Sequence, residues 1–483
     1  MLIQLLKNSF SLILAGIVDK IAFIVFIAVL ARRLTTAEFG SLNLMFAMIA
    51  IGGLLSNFGI DYVVIREIAK DKSKARSIFT SAAVATLLFS IVAWPLTVFI
   101  ASQMNYPEIV VTFLSYGGCA LLITGIGQTA SAVLKAFERM EVFAFINLIR
   151  SLVILVLGLL SLTLCDNLMI IMIVLLIIEM STAAIIGLLV HRRFAAFSFP
   201  VDWRLIFSVV KMAFPFALLM SLGFFIHKID LLLMGWLASI DDVAQYGAAS
   251  KFTEFLSVFS AGLVGAIYPA ISSRINSRND AGWTLFNDSV SIFAILGFGA
   301  AFSLTVLAEP VILFIFGKVY LPATMAVVIL AWSFLFTVLS GPAGTLILAA
   351  GKRLYLLVLA SVILVGINIV LNMILIKRYT YNGAALAVIL TSFMGFIIRM
   401  ILVNSHFGRF PLIFVNTWRP FLAGFVMMIA LYLMRDCNLF FLIFTGFILY
   451  MVILSLLGEF KEERYMPLRL KILQLIGKGT KQN

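Results

Sequence analysis

Charge is what this chain of 483 residues has least of. Asp, Glu, Lys and Arg make up only 12% of it against 63% hydrophobic residues, and the mean hydropathy is +1.15. Soluble domains are near half apolar and about a quarter charged, so water is not the main solvent of this one. Cysteine and histidine are scarce, with three of each. Cys119, Cys165 and Cys437 show neither metal-type nor redox-type spacing, and an odd number cannot pair completely, so no cysteine chemistry is assigned. No Gly-rich loop ending in Lys-Ser or Lys-Thr is present, which argues against ATP hydrolysis by this chain. Nothing in the sequence calls for a cofactor or a metal.

What is abundant is apolar sequence in runs of helix-spanning length. A helix rising about 1.5 Å per residue crosses about 30 Å of hydrocarbon in some 20 residues. Apolar runs of that order fall near 8–31, 39–59, 77–102, 109–133, 143–164, 168–190, 207–237, 246–272, 288–308, 322–349, 354–376, 382–404, 414–434 and 439–458. The expected fold is therefore an all-α polytopic membrane protein of about fourteen transmembrane helices. The first run follows a short basic start, lacks a small-residue cleavage pattern and precedes many more spans, so it reads as helix one rather than a removable signal. With the N-terminus in the cytoplasm, 23 of the 35 Lys and Arg fall on that side and six on the other, the rest lying inside spans. By the positive-inside rule both termini are cytoplasmic. The net charge of +13 then reflects loops facing anionic lipid headgroups and not nucleic acid.

An internal echo divides the chain. Asp19-Lys20-Ile21 is followed by Phe39-Gly40, and about 208 residues later His227-Lys228-Ile229 is followed by Tyr246-Gly247. Leu134 through Arg139 matches Leu348 through Arg353 at a similar offset. Two lobes follow, 1–193 with helices one to six and 194–405 with helices seven to twelve, then two further helices over 406–458. The tail, 459–483, alternates Leu and Ile with Arg and Lys, a pattern for a short amphipathic helix on the inner headgroups.

The order of several pieces carries a resemblance over nearly the whole chain. They are Leu34, Glu38 and Phe39-Gly40; Lys135 through Arg139; Lys211 through Pro215; Asp230; Tyr246-Gly247-Ala248-Ala249; Tyr268-Pro269; Phe316 through Tyr320; Ala350-Gly351-Lys352; Asn368 and Asn372; and Asn382-Gly383-Ala384-Ala385. Together they resemble the polysaccharide-transporter branch of the multidrug/oligosaccharidyl-lipid/polysaccharide exporter superfamily, which includes the O-antigen and capsule-repeat flippases. The resemblance implies two six-helix lobes around a central cavity, alternating access in the bacterial cytoplasmic membrane, and an undecaprenyl-diphosphate-linked glycan as cargo. Membrane lipids and the polysaccharide polymerase machinery are the partners it suggests.

Charges inside spans are costly, about 2.5–3.5 kcal/mol at a helix centre, and so are expected to face a cavity or a partner. Lys20 and Lys228 sit near the middle of helices one and seven at repeat-related positions, and with Arg150 and Lys211 they are the candidates for binding a diphosphate. The alternative is that Lys20 and Lys228 only pair with Asp19 or Asp230 to neutralise charge between helices. His227 and Asp230 are three apart and share a helical face. Together with Asp19 and Glu179 they are candidate coupling sites for H⁺ or Na⁺. Two rivals are a drug or metabolite antiporter of the same superfamily, which would want a more acidic cavity, and a membrane polysaccharide polymerase or ligase, which would want a sizeable external loop. No outside loop is long enough for catalysis, so a non-enzyme is expected. Impermeant cysteine labelling checks the topology. Residues introduced in Ile240–Gln245 should react from outside and those in Arg192–Arg204 should not; the reverse pattern inverts the assignment.

Overall fold

The computed structural model describes residues 2–164, 167–198, 200–275, 281–351, 354–409 and 412–461, without the side chains of 2–15, 17, 227, 281 and 461. Cys165, Lys352, Arg353 and the tail with its amphipathic pattern from 462 onward lie outside the described residues. All regular structure among the described residues is helical. The helices are α1 (Leu2–Arg33), α2 (Thr36–Asn57), α3 (Ile60–Lys70), α4 (Ala75–Gln103), α5 (Glu108–Gly117), α6 (Ala120–Ala136), α7 (Met140–Leu164) and α8 (Leu168–Arg193). They continue as α9 (Trp203–Leu237), α10 (Ile240–Arg274), α11 (Ala281–Ile315), α12 (Thr324–Leu339), α13 (Gly341–Ala350), α14 (Leu354–Phe407), α15 (Ile413–Leu433) and α16 (Leu439–Leu456). The all-α architecture expected of a chain that must pair its backbone polar groups without water is thus what forms.

Eleven of these stretches are long and apolar enough to cross a membrane, and α5 with α6, bent by 60°, makes a twelfth. The 54 residues of α14 would run about 80 Å if straight, more than twice the hydrocarbon thickness. Its backbone leaves the helical region at Thr380, with φ 48° and ψ −127°, between the two spans expected at 354–376 and 382–404. Counting both arms of α14 and the 32-residue α1 brings the twelve to fourteen among the described residues.

The chain forms two compact units. The first comprises Met1–Lys251, Ile315–Pro322 and Val365–Ala384; the second comprises Phe252–Phe314, Ala323–Leu364 and Ala385–Asn483. In the first, α3 lays Ile60, Val63, Val64 and Ile68 onto a core shared with α4, α6, α8 and α9. In the second, Phe298 and Phe302 of α11 pack against Leu335, Met427 and Tyr450, and the Tyr450 hydroxyl donates to the Ile295 carbonyl at 2.9 Å.

The sequence echo has a structural counterpart inside the first unit. Both α2 and α10 open with a reciprocal cap. The Thr35 hydroxyl accepts from the Glu38 N–H at 3.3 Å while the Glu38 carboxylate accepts from the Thr35 N–H at 2.9 Å. Ser239 and Asp242 repeat this at 3.1 and 3.3 Å. The two helices then cross closely enough that only glycine fits. A Cβ on Gly40 would lie 2.1 Å from the Ile240 carbonyl oxygen, and one on Gly247 would lie 2.6 Å from the Asn43 amide. Phe39 and Tyr246, the residues just before these glycines, are buried. Tyr320 covers the Phe39 ring edge-on at 5.4 Å, and the Gln245 amide donates to the Val319 carbonyl at 3.0 Å. Gly40→Ala and Gly247→Ala should each lower the thermal stability of the purified protein, by about 1–3 kcal/mol for overpacking. Gly187→Ala, where no atom stands within 4 Å, should not. Equal melting temperatures for all three would contradict the crossing.

Candidate functional site

The first unit encloses a cavity of about 740 Å³, within the size range of ligand pockets. Most of its wall is apolar, as the helices dictate, and its polar groups gather in two clusters. The first is built by α1, α7 and α8. Asp19 and Lys20 are consecutive on α1 and so point about 100° apart, and both reach the cavity wall in different directions. Because α7 packs along α1, Arg150 meets Asp19 at 2.9 Å. Its other terminal nitrogen meets Glu179 of α8 at 2.6 Å, and the Ser151 hydroxyl donates to Asp19. One guanidinium therefore bridges two carboxylates, leaving one net negative charge, and Lys20 beside it restores neutrality. Lys20 has no ion-pair partner among the described residues, and Asp19 pairs with Arg150 instead. The Arg150 Nε–H is buried and has no hydrogen-bond partner among the described residues.

The second cluster lies where α2 ends. Phe58 and Gly59 take left-handed conformations, with φ 47° and 71°, and turn the chain into α3. The turn aims Asn57, Asp61 and Tyr62 at the cavity, opposite Gln128 of α6. The wall between the clusters includes the break of α5 and α6. There the Trp94 indole donates to the Leu114 carbonyl at 3.1 Å and lies so close to Gly118 that a Cβ would come within 2.1 Å of it.

Of the residues singled out from sequence, Asp19, Lys20, Arg150 and Glu179 come together here, and Lys211, Lys228 and Asp230 do not line the cavity. Lys211 is exposed and Lys228 half-buried on α9. Asp230 is buried and accepts from the Tyr246 hydroxyl of α10, while its Oδ1 has no partner among the described residues. The side chain of His227 lies outside the described residues. Sequence reasoning missed Ser151, Asn57, Gln128 and Asp61. The first three are uncharged and so carry no insertion penalty large enough to flag them. Asp61 fell in what reads as a charged loop.

The profile of the family described as polysaccharide biosynthesis protein matches residues 5–274, more than half of the chain. The chain belongs to that family. It is 22% identical over 404 residues, 80% of its length, to the probable low-salt glycan biosynthesis flippase Agl15 of Haloferax volcanii, of which it covers 81%. The fold is similar to that of the lipid II flippase MurJ in an inward closed conformation, with a TM-score of 0.77 and 15% identity, covering 92% of this chain and 98% of that one. An inward-facing multidrug resistance MATE family transporter of the MOP superfamily shares the fold at a TM-score of 0.61 and 14% identity, over 83% of this chain and 97% of that one. The chain is thus a multi-pass membrane protein of the flippase and transporter type.

Removing Arg150 would leave two carboxylates close together without a counter-charge. A lost hydrogen bond to a charged group costs about 1.5–3 kcal/mol, discounted for the Glu179 share because that side chain is 39% exposed. Arg150→Ala should therefore melt earlier than wild type, and the neutral combination of Asp19→Asn, Arg150→Met and Glu179→Gln should recover most of the loss. A melting temperature unchanged in Arg150→Ala would show that the bridge stabilises nothing.

Proposed function

We propose that this chain flips an undecaprenyl-diphosphate-linked oligosaccharide, an O-antigen or similar repeat unit, from the inner to the outer leaflet of a bacterial cytoplasmic membrane. It works by alternating access with both termini in the cytoplasm, and it makes and breaks no covalent bond. The observation that carries this reading is a pair of basic groups on the wall of a mostly apolar cavity: Lys20, with no ion pair among the described residues, and Arg150, which keeps a buried N–H without a partner among them. A buried donor without a partner costs about 1–3 kcal/mol, and an anionic ligand removes that cost. A diphosphate suits both groups, a lysine as a point charge and an arginine through its planar fork.

Lys228 follows Met220 and Phe224 of α9 at intervals of four, on the stripe that lines the cavity, and we retain it as a second phosphate contact, with Lys211 further along the same helix. Asp19 and Glu179 supply the coupling. Protonation or a bound Na⁺ weakens their hold on Arg150 and releases it to the cargo, which shifts the equilibrium only because the two states then differ in affinity for cargo. Asp230, with one oxygen unpaired among the described residues, and His227 are the further coupling candidates. Agl15 is described as a glycan biosynthesis flippase and MurJ as a lipid II flippase, which supports the cargo class. A multidrug resistance MATE family transporter shares the fold, but the family and Agl15 are described by polysaccharide and glycan biosynthesis, which favours the glycan cargo.

The test is flipping of lipid-linked glycan in proteoliposomes, with pH and Na⁺ gradients imposed in turn. Lys20→Ala should lose about ten- to a hundredfold in cargo binding, for one charge-assisted contact, while Lys20→Arg retains part of it. Normal transport by a fully inserted Lys20→Ala variant would end the cationic-site reading, and indifference to both gradients would end the coupling.

A further inference from the structure

The second cluster has unused hydrogen-bonding capacity. The Asn57 amide donates to the Gln128 side-chain oxygen at 3.1 Å, which orients Gln128 so that its own amide N–H groups are the exposed donors. Gly53 keeps the adjacent wall open, the Gln128 nitrogen being the nearest atom to a Cβ built there, at 3.8 Å. The Asp61 carboxylate accepts from the Tyr62 N–H at 3.0 Å through one oxygen, and Asp61 lines the same end of the cavity. Tyr62 lies flat on Phe216, with ring centroids 5.5 Å apart and planes at 9°, and stays 41% exposed. Burial raises the Asp61 carboxyl above its ordinary range, against the nearby charge of Lys135.

The residue types decide the ligand class. Paired amides and a carboxylate present alternating donors and acceptors, which match the hydroxyls of a pyranose ring. A fixed aromatic face matches its C–H surface. A phosphate would be repelled by Asp61, and an acyl chain would leave all of these polar groups unpaired at a cost. Position agrees with this. Because α1 and α2 are joined by a short turn, Lys20 is level with Ile49, and Asn57 lies eight residues, or about 12 Å, further along α2. The cavity therefore has an end that carries Lys20 and Arg150 and, about 12 Å away, an end built for hydroxyls.

We propose that Asn57, Gln128, Asp61 and Tyr62 form a sugar subsite, which holds the glycan's first sugars while Lys20 and Arg150 hold the diphosphate, and which sets which glycan is accepted. This rests on the lipid-linked glycan reading given above. The test measures binding of two probes to the full chain in nanodiscs. One is C55 polyprenyl diphosphate without sugar; the other is the lipid-linked glycan extracted from cells lacking this protein. Wild type should bind the glycan lipid at least about tenfold more tightly. Asn57→Ala with Gln128→Ala should abolish that advantage and leave binding of the bare diphosphate unchanged, whereas Lys20→Ala should weaken both. Where the alanine pair fails to fold, the near-isosteric Asp61→Asn and Gln128→Glu should each lower the advantage without moving the melting temperature. Equal binding of both probes by wild type, or an advantage that survives in the variants, overturns the subsite and leaves the lipid-linked reading standing. Failure of wild type to bind either probe overturns that reading itself.

Discussion

An open cavity inside a helix bundle is tolerable only if the charges on its wall are held, and here the holding is done by Arg150. It draws Asp19 of α1 and Glu179 of α8 onto one guanidinium, at 2.9 and 2.6 Å. Three helices are thereby fixed at one level of the cavity, which a purely apolar contact would not do, because dispersion has no direction. A bridge of this kind contributes little net stability once desolvation is counted, but it specifies which helices meet and where. The same electrostatics leave Lys20 without an ion pair among the described residues, since both nearby acids are engaged by Arg150.

The second constraint is steric. At the α2–α10 crossing a backbone carbonyl and a side-chain amide stand where any Cβ would go. Close approach of this sort is the usual way membrane helices associate when lipid is as apolar as their side chains. The crossing also brings Phe39, Tyr246 and Tyr320 into a buried aromatic layer. Together with the Asp230–Tyr246 hydrogen bond it ties α9, α10 and α2 into the unit that carries the cavity.

Division of labour within the cavity follows from where chain breaks fall. Asn57 lines the cavity from the end of α2. The left-handed pair Phe58-Gly59 turns the chain between α2 and α3, and Asp61 and Tyr62 after it also line the cavity. The break between α5 and α6, held by Trp94, opens the facing wall in the same way. Both breaks line the cavity, at Gly59 and at Gly117 and Gly118.

By itself the sequence determined the solvent, the helical class, the fourteen spans and the family resemblance, because hydropathy and length are local properties that a bilayer reads directly. It also picked out Asp19, Lys20, Arg150 and Glu179 as residues needing an explanation, since a charge in a span is conspicuous whatever surrounds it. The break at Thr380 was legible for the same reason, the polar stretch between two apolar runs. Only the tertiary structure decided that Arg150 and not Lys20 partners Asp19, that Asp230 is taken by Tyr246, and that Asn57, Gln128 and Asp61 share a wall. Those outcomes depend on distances between residues as many as 131 positions apart. Which of several acids a guanidinium reaches is set by the helix packing and not by any pattern along the chain.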